Sequence, residues 1–461
     1  MTEGAQRQDA GSDTPARRDR WVSAILLLSA LALWWLYREF ATTGRTLEER
    51  PRQLALFFSA FLIFSICTLA VWRARPAASR RWTLLILAAG LLFRLTVAPA
   101  RPATSSDLYR YLWEGRVVRA GMNPYLHPPG SPELAPLRNW VWPLVQHKSV
   151  PAAYPPVAQY VFALAGFIPL SPVTALKLAL ALFDALALLL LADLLRRLGR
   201  PPSWTIAYAW HPLAVCEVVA RGHLDAIGLF FLVLAARLLL VPSRAGRIAS
   251  GGVLALSLLS KGCALFLTPF FLMAAKPHRR AFALSLTAAA FLLYLPFLPA
   301  GKDLFAGLAA YAGRWSGNAG IFALVKLALS PLSPDPDRLA RIICLALLAA
   351  WIGHLLRVGR RAQTPEAALL LSQRALMGFF LLAPTVYPWY LAWTLPFLCL
   401  DRSLPWLALT GAIFAFYAHD FAGHHREIWW VTSLEYALPL ALAIGFPRWQ
   451  PTPSPSSTPP P

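Results

Sequence analysis

Apolar runs of membrane-helix character recur along this chain and constrain its fold more than any other feature. They lie at about 21–37, 54–72, 82–98, 172–195, 204–219, 223–241, 248–260, 262–275, 281–298, 339–357, 366–384, 389–400, 404–419 and 430–446. A helix crossing the hydrocarbon core needs ~20 mostly apolar residues, and a soluble domain cannot hide so many such runs from water. The runs therefore predict an all-α, multi-pass transmembrane helical bundle of about 12–14 spans. Several are too short for a perpendicular crossing, so some must tilt, break or re-enter. Composition agrees, with 57% of the 461 residues hydrophobic and only 14% charged.

The net charge of +21 comes largely from arginines in short turns between these runs, where anionic lipid and the insertion machinery favour them. That placement argues for membrane lipid as the partner and against nucleic acid. With a cytoplasmic N-terminus, strict alternation puts five basic clusters on the inner side. They are Arg73/Arg75/Arg80/Arg81, Arg196/Arg197/Arg200, Arg244/Arg247, Lys276/Arg279/Arg280 and Arg357/Arg360/Arg361, as the positive-inside rule requires. The same alternation decides Tyr154–Leu170, which is apolar enough to span but would invert every later loop if it did. It is expected to form a short helix dipping in from the outer face, bounded by Pro155, Pro156 and Pro169. The alternative is a full span with a misassigned partner later in the chain.

Residues 1–20 read as a disordered cytoplasmic segment. The run after them continues to Tyr37, too long for the core of a cleavable signal peptide, and reads as a retained first span. Residues 21–446 form one transmembrane domain with an outer loop at 99–153, and 449–461, rich in Pro, Ser and Thr, is expected to be a disordered tail. The five cysteines show no ligand or disulfide spacing and read as packing residues.

Under this topology the long or polar connections all fall on the outer side. The densest is Ser105–Pro129, SSDLYRYLWEGRVVRAGMNPYLHPP. Ser105 or Ser106 suits an N-cap, Asp107 the first helical turn, and Gly121 a left-handed stop, so a helix is expected over about 107–120. It should lie along the membrane surface, with Leu108, Leu112 and Trp113 in the lipid interface. Asp107, Arg110, Tyr111 and Glu114 share one face at i, i+3, i+4 and i+7. A carboxylate able to accept a proton and a guanidinium able to hold phosphate would then share a surface. The same spacing fits an Arg110–Glu114 surface pair with Asp107 as a helix-end charge.

Other outer-side candidates are His223 and Asp225 with Arg221 in RGHLDAIG, and Lys261 alone between two half-length apolar runs. Lys261 suits a phosphate near the membrane surface or simple snorkelling. The Tyr387–Tyr390 turn in PTVYPWYLAW reads as an interfacial aromatic belt or a stacking wall for a sugar or isoprenoid. His419, Asp420, His424 and His425 have no spacing that compels metal binding. Asp184, mid-run with Lys177 two turns before it, reads as a functional intramembrane acid or an interhelical hydrogen bond; it is not placed in the site.

The motifs DLYRYLWEG (107–115) and GMNPY (121–125) resemble the first outer loop of integral-membrane glycosyltransferases of the GT-C fold. Within that fold they are similar to bacterial polyprenyl-phosphate-mannose-dependent mannosyltransferases, a glycosyltransferase family 87-like group. YPP (154–156), GHLD (222–225), the lone Lys261 and YPWY (387–390) occur in that family's order. Glu114 stands where many relatives carry Asp.

The resemblance implies a polyprenyl-phosphate sugar donor, a glycan or lipid acceptor, extracytoplasmic transfer with inversion, and no nucleotide-sugar site. It points to Asp107 as general base or acceptor-orienting group. It assigns substrate contacts to Arg110, Tyr111, Glu114, Asn123, Tyr125, Tyr154, His223, Asp225, Lys261, Tyr387, Trp389 and Tyr390. No cofactor is required; a divalent cation is compatible with the chemistry, but no residues indicate a metal site. The rival class is a transporter or flippase of a lipid-linked saccharide, which needs polar groups on both sides of the midplane, whereas the polar groups here are one-sided.

Overall fold

The computed structural model describes residues 15–44, 46–74, 79–100, 106–360, 364–422 and 428–445. Most of the N-terminal polar segment, Ser105, His424, His425 and the Pro-rich tail lie outside the described residues. Every regular element among the described residues is helical, and the only extended pairing is one parallel bridge between Gly317 and Thr385. In order these are α1 (Pro15–Thr42), α2 (Arg50–Arg73), α3 (Ser79–Val97), α4 (Asp107–Arg119), α5 (Pro156–Ala165), α6 (Pro172–Arg197) and α7 (Ile206–Ala209). A wide π-helical segment, Leu213–Ala220, precedes α8 (Asp225–Leu239), α9 (Arg244–Lys261), α10 (Thr268–Ala274), α11 (Arg279–Tyr294) and α12 (Ala306–Arg314). Then come α13 (Ile321–Leu329), α14 (Pro336–Gly359), α15 (Pro365–Leu382), α16 (Leu395–Asp401), α17 (Leu404–Ala412) and α18 (Trp429–Gly445).

Every predicted apolar run falls largely on helix, but among the described residues only five helical stretches are long and apolar enough to cross a membrane unaided, or six if the Leu213–Ala220/α8 pair, bent by 119°, counts as one span. The other runs are shorter or broken pieces. Apolar side chains such as Leu62, Leu95, Leu182 and Leu345 are more than half exposed on the outside of the bundle, as expected for surfaces solvated by lipid. This is an all-α multi-pass membrane protein.

Local sequence explains where the helices start and stop. Proline sits at the first turn of α2, α5, α6, α14 and α15, where its missing N–H costs nothing. The Ser171 hydroxyl accepts a hydrogen bond from the Thr174 amide and caps α6. Gly262, at φ +84, ends α9 in the left-handed conformation immediately after Lys261. Gly222, at φ +77, makes the corner between the π-helical segment and α8, and so presents Arg221, His223 and Asp225 at one bend.

α5 has ten residues, about 15 Å of helix against about 30 Å of hydrocarbon. It is the short, proline-bounded helix expected here, and it packs on α4, α6 and α9. The α4–α5 contact is close because Gly115 has no side chain: a Cβ built there lies 2.5 Å from the Phe162 carbonyl carbon and oxygen. Gly115→Ala should push the two helices apart at a cost of about 1–3 kcal/mol, and with them Asp107. Thermal unfolding of the detergent-solubilised protein checks this; an unchanged midpoint would show that the contact is not needed.

The structure corrects the expected lipid docking of α4. Leu108 is enclosed by the main core, and Trp113 by a small loop core of Val117, Leu134, Val141 and Val145. An apolar stripe must be covered, but here protein covers it rather than lipid. Ser106 stands at the N-cap, yet its side chain makes no capping bond; its backbone carbonyl accepts from the Tyr109 and Arg110 amides.

The intramembrane Asp184 is also accounted for. Its carboxylate meets the Arg94 guanidinium and the Tyr208 hydroxyl, while Arg94 also donates to the carbonyls of Gly90 and Ala209 (2.9 and 2.7 Å). Both partners of the ion pair are buried. They tie α3 to α6 and to the end of α7, as structural polar contacts between spans do.

Candidate active site

Asp107 opens α4 with its carboxylate 34% exposed and its Oδ2 3.9 Å from Nδ1 of His223. The His223 ring comes from the Gly222 corner, is wholly buried, and stacks on Trp389 at 4.1 Å between centroids. Tyr387 stacks on the other part of the same turn, 4.8 Å from Trp389. The short helix Pro388–Thr394 thus carries an aromatic wall behind the acid.

Asp225 and Lys261 form a second element of the site. Lys261 Nζ donates to both Asp225 oxygens at 2.7 and 2.6 Å, and the Trp393 indole donates to Oδ1 at 2.7 Å. Lys261 also lies 4.4 Å from the centre of the Tyr390 ring, whose hydroxyl meets that of Tyr311 on α12. As a cation in the last turn of α9, Lys261 is favoured by the helix dipole.

Tyr111 and Tyr154 stand edge to face at 5.2 Å, and Phe162 stacks on Tyr111 at 4.6 Å. The Asp107 charge reaches Tyr111, Tyr154 and Tyr311, which places these rings around one carboxylate. Burial first pushes the Tyr111 and Tyr154 phenols well above their ordinary range, followed by the neighbouring Tyr154 and then Asp107 for Tyr111, and by Asp107 for Tyr154. They are therefore neutral hydrogen-bonding groups at working pH.

Four predicted contacts are engaged elsewhere. Glu114 accepts from Arg110 at 2.5 Å and from Gln159 on α5 at 2.6 Å, and Arg110 also donates to the Val150 carbonyl at 2.7 Å. Asn123 donates to the Phe297 carbonyl at 3.1 Å, and the Tyr125 hydroxyl to the Tyr154 carbonyl at 2.7 Å. Glu114 ties α4 to α5, while Arg110, Asn123 and Tyr125 hold the 120–153 loop against α4, the Leu295–Phe305 segment and the chain leading into α5.

Behind His223 lies a polar group that the sequence reading missed. Glu217 pairs with Arg221, accepts from the Tyr417 hydroxyl at 3.0 Å, and comes within 3.4 Å of His223 Nε2. Arg221 donates to Gln53 at 3.0 Å and lies 3.9 Å from the centre of the Tyr417 ring. Gln53 also accepts from Arg50, which pairs with Asp420 at 2.6 Å. Glu217 was findable: it is an acid inside the apolar run LAVCEVVA, the same signal that singled out Asp184. His419, by contrast, accepts at Nδ1 from the Ile428 amide, 3.0 Å away. Among the described residues no three His, Cys, Asp or Glu side chains gather as a metal site.

The arrangement offers a solvent-reaching carboxylate, a lysine at the edge of an aromatic wall, and neutral phenols. That set can orient a hydroxyl nucleophile, accept its proton and hold a sugar face.

No curated protein matches the chain. A family description does match, alpha-(1->6)-mannopyranosyltransferase, N-terminal domain, over residues 21–277, and this stretch holds Asp107, His223, Glu217, Asp225 and Lys261. Covering more than half of the 461 residues and set on an all-helical membrane fold, the match makes this chain a member of the alpha-(1->6)-mannopyranosyltransferase family, a membrane-embedded mannosyltransferase.

Proposed function

We propose that this mannosyltransferase takes mannose from a polyprenyl-phosphate carrier and transfers it, with inversion, to a hydroxyl of a glycan or lipid acceptor on the extracytoplasmic face. The observation that carries this reading is the one-sided assembly around Asp107. Asp225 starts α8 and Lys261 ends α9, so these antiparallel helices bring their site-bearing ends together. Their opposite ends carry Arg237 and Arg247, beside Arg196 and Arg197 at the end of α6. Basic ends favour the cytoplasm, which supports an external site.

The chemistry fits a lipid-phosphate donor. Such a donor is already activated, so the protein has to orient the acceptor, take its proton and steady the departing phosphate. We assign the proton to Asp107, the phosphate to Lys261, and the sugar face to Trp389, Tyr390 and Tyr154. Asp225 holds Lys261 in place, and the reaction asks for no cofactor.

The test is a membrane assay with a panel of polyprenyl-phosphate sugars and, separately, a nucleotide-mannose in carrier-free membranes. Product is expected from polyprenyl-phosphate mannose, on the side corresponding to the cell exterior in sealed vesicles. Product from the nucleotide sugar alone, or only on the cytoplasmic side, would overturn the reading.

A further inference from the structure

We infer that Glu217 and His223 form a positioning and proton-accepting unit behind Asp107, so that the base of this enzyme is a three-residue relay rather than a lone carboxylate. The inference rests on the assignment of Asp107 as the proton acceptor. It stands on geometry: the imidazole lies between two carboxylates, Nδ1 3.9 Å from Asp107 and Nε2 3.4 Å from Glu217. The ring is wholly buried and fixed by its stack on Trp389, and neither nitrogen has a hydrogen bond of good geometry. A buried imidazole with both polar atoms aimed at acids is costly unless they are used.

Glu217 is held for this task from the far side. Arg221 and Tyr417 engage its two oxygens, so the carboxylate is fixed in orientation and the oxygen shared with Tyr417 faces the ring. A carboxylate behind an imidazole fixes its tautomer and stabilises the imidazolium that forms when a proton arrives. With Nε2–H directed at Glu217, the Nδ1 lone pair faces Asp107. In the reaction an acceptor oxygen lone pair forms the bond to the anomeric carbon, and the carbon–oxygen bond to the lipid phosphate breaks with its electron pair staying on the phosphate. The acceptor proton goes to Asp107 and on to His223 Nδ1. The charged groups around the ring are Asp107 from α4, Glu217 and Arg221 from its own segment, and Lys177 from α6, whose stem packs on Gly222. Lys177 Nζ is turned away to the Ala100 carbonyl.

The experiment uses the full-length protein in membranes with polyprenyl-phosphate mannose. An inactive wild type, or an active Asp107→Asn, overturns the proposed function and the relay together, so both are measured first. With those in place, His223→Gln is expected to lower the single-turnover rate about 10²-fold and Glu217→Gln about 10-fold. KM for the donor should stay within about 3-fold, since the relay assigns both residues to the proton rather than to the donor. The solvent isotope effect on the single-turnover rate should fall in His223→Gln, because the second proton transfer is then lost. A role in packing alone would lower folded yield and leave that isotope effect in place. A His223→Gln rate within about 3-fold of wild type with an unchanged isotope effect overturns the relay. Should the variants fail to accumulate, the wild-type proton inventory in mixtures of light and heavy water decides: a bowed curve supports two protons in flight, and a straight line overturns it.

Discussion

Asp107→Asn should reduce mannosyl transfer by about 10²–10⁴-fold, the range lost when a positioned general base is removed. The replacement keeps size and shape, and the first turn of α4 retains its backbone bonds from Ser106. The packing that anchors the helix, Leu108 in the main core and Trp113 in the loop core, is untouched. Membrane insertion and thermal midpoint should therefore match wild type, and the loss should fall on kcat rather than on donor KM. Asp107→Glu should show a partial loss, since it keeps the charge but moves it by about one bond length from its working position. Initial rates in washed membranes, normalised to folded protein, decide the matter. A wild-type rate in Asp107→Asn would remove this residue from the mechanism.

The largest stability effect should come from a residue outside the site. Asp184→Leu leaves the Arg94 guanidinium buried without its carboxylate, and breaking such a pair costs about 3–5 kcal/mol. Arg94 also holds the carbonyls of Gly90 and Ala209, so the strain would spread along α3 and into α7. The double change Arg94→Met/Asp184→Leu removes both charges, and apolar replacements of similar volume are often neutral or better. The single variant should thus unfold at a much lower temperature in detergent, and the double variant should recover most of the difference. If the double variant is as unstable as the single one, the pair is not what holds these helices.

What could be read from the sequence follows the physics of each signal. Apolar length and flanking prolines made the helices legible, including the short α5. Gly121 does take the left-handed conformation, and helical spacing did pair Arg110 with Glu114. Spacing could not say what covers a helix face. It left α4 facing lipid, whereas α5 and the loop 120–153 enclose it. Spacing singled out Arg110 and Glu114, and the family motif Asn123 and Tyr125, but neither could show that they bond to each other, to Gln159 and to the carbonyls of Val150, Phe297 and Tyr154. The convergence of Asp107, His223, Lys261 and Trp389 needs contacts between residues far apart in the chain. Only the family's motif order brought those residues together in the sequence. Arg94 and Glu217 went unpaired because each sits alone in an apolar run, with its partner on another helix.

The aromatic wall has a consequence for how the enzyme comes into being. The acid, the imidazole and the lysine are all encoded before residue 277, but Trp389, which covers the His223 ring, and Trp393, which holds Asp225, are encoded more than one hundred residues later. A nascent chain that has inserted α1 to α10 therefore carries the acid, the imidazole and the lysine but none of the lining from 387–393. The candidate site is therefore incomplete while the chain is still being threaded into the bilayer. Its lining is in place only when the last third of the polypeptide folds back over the first.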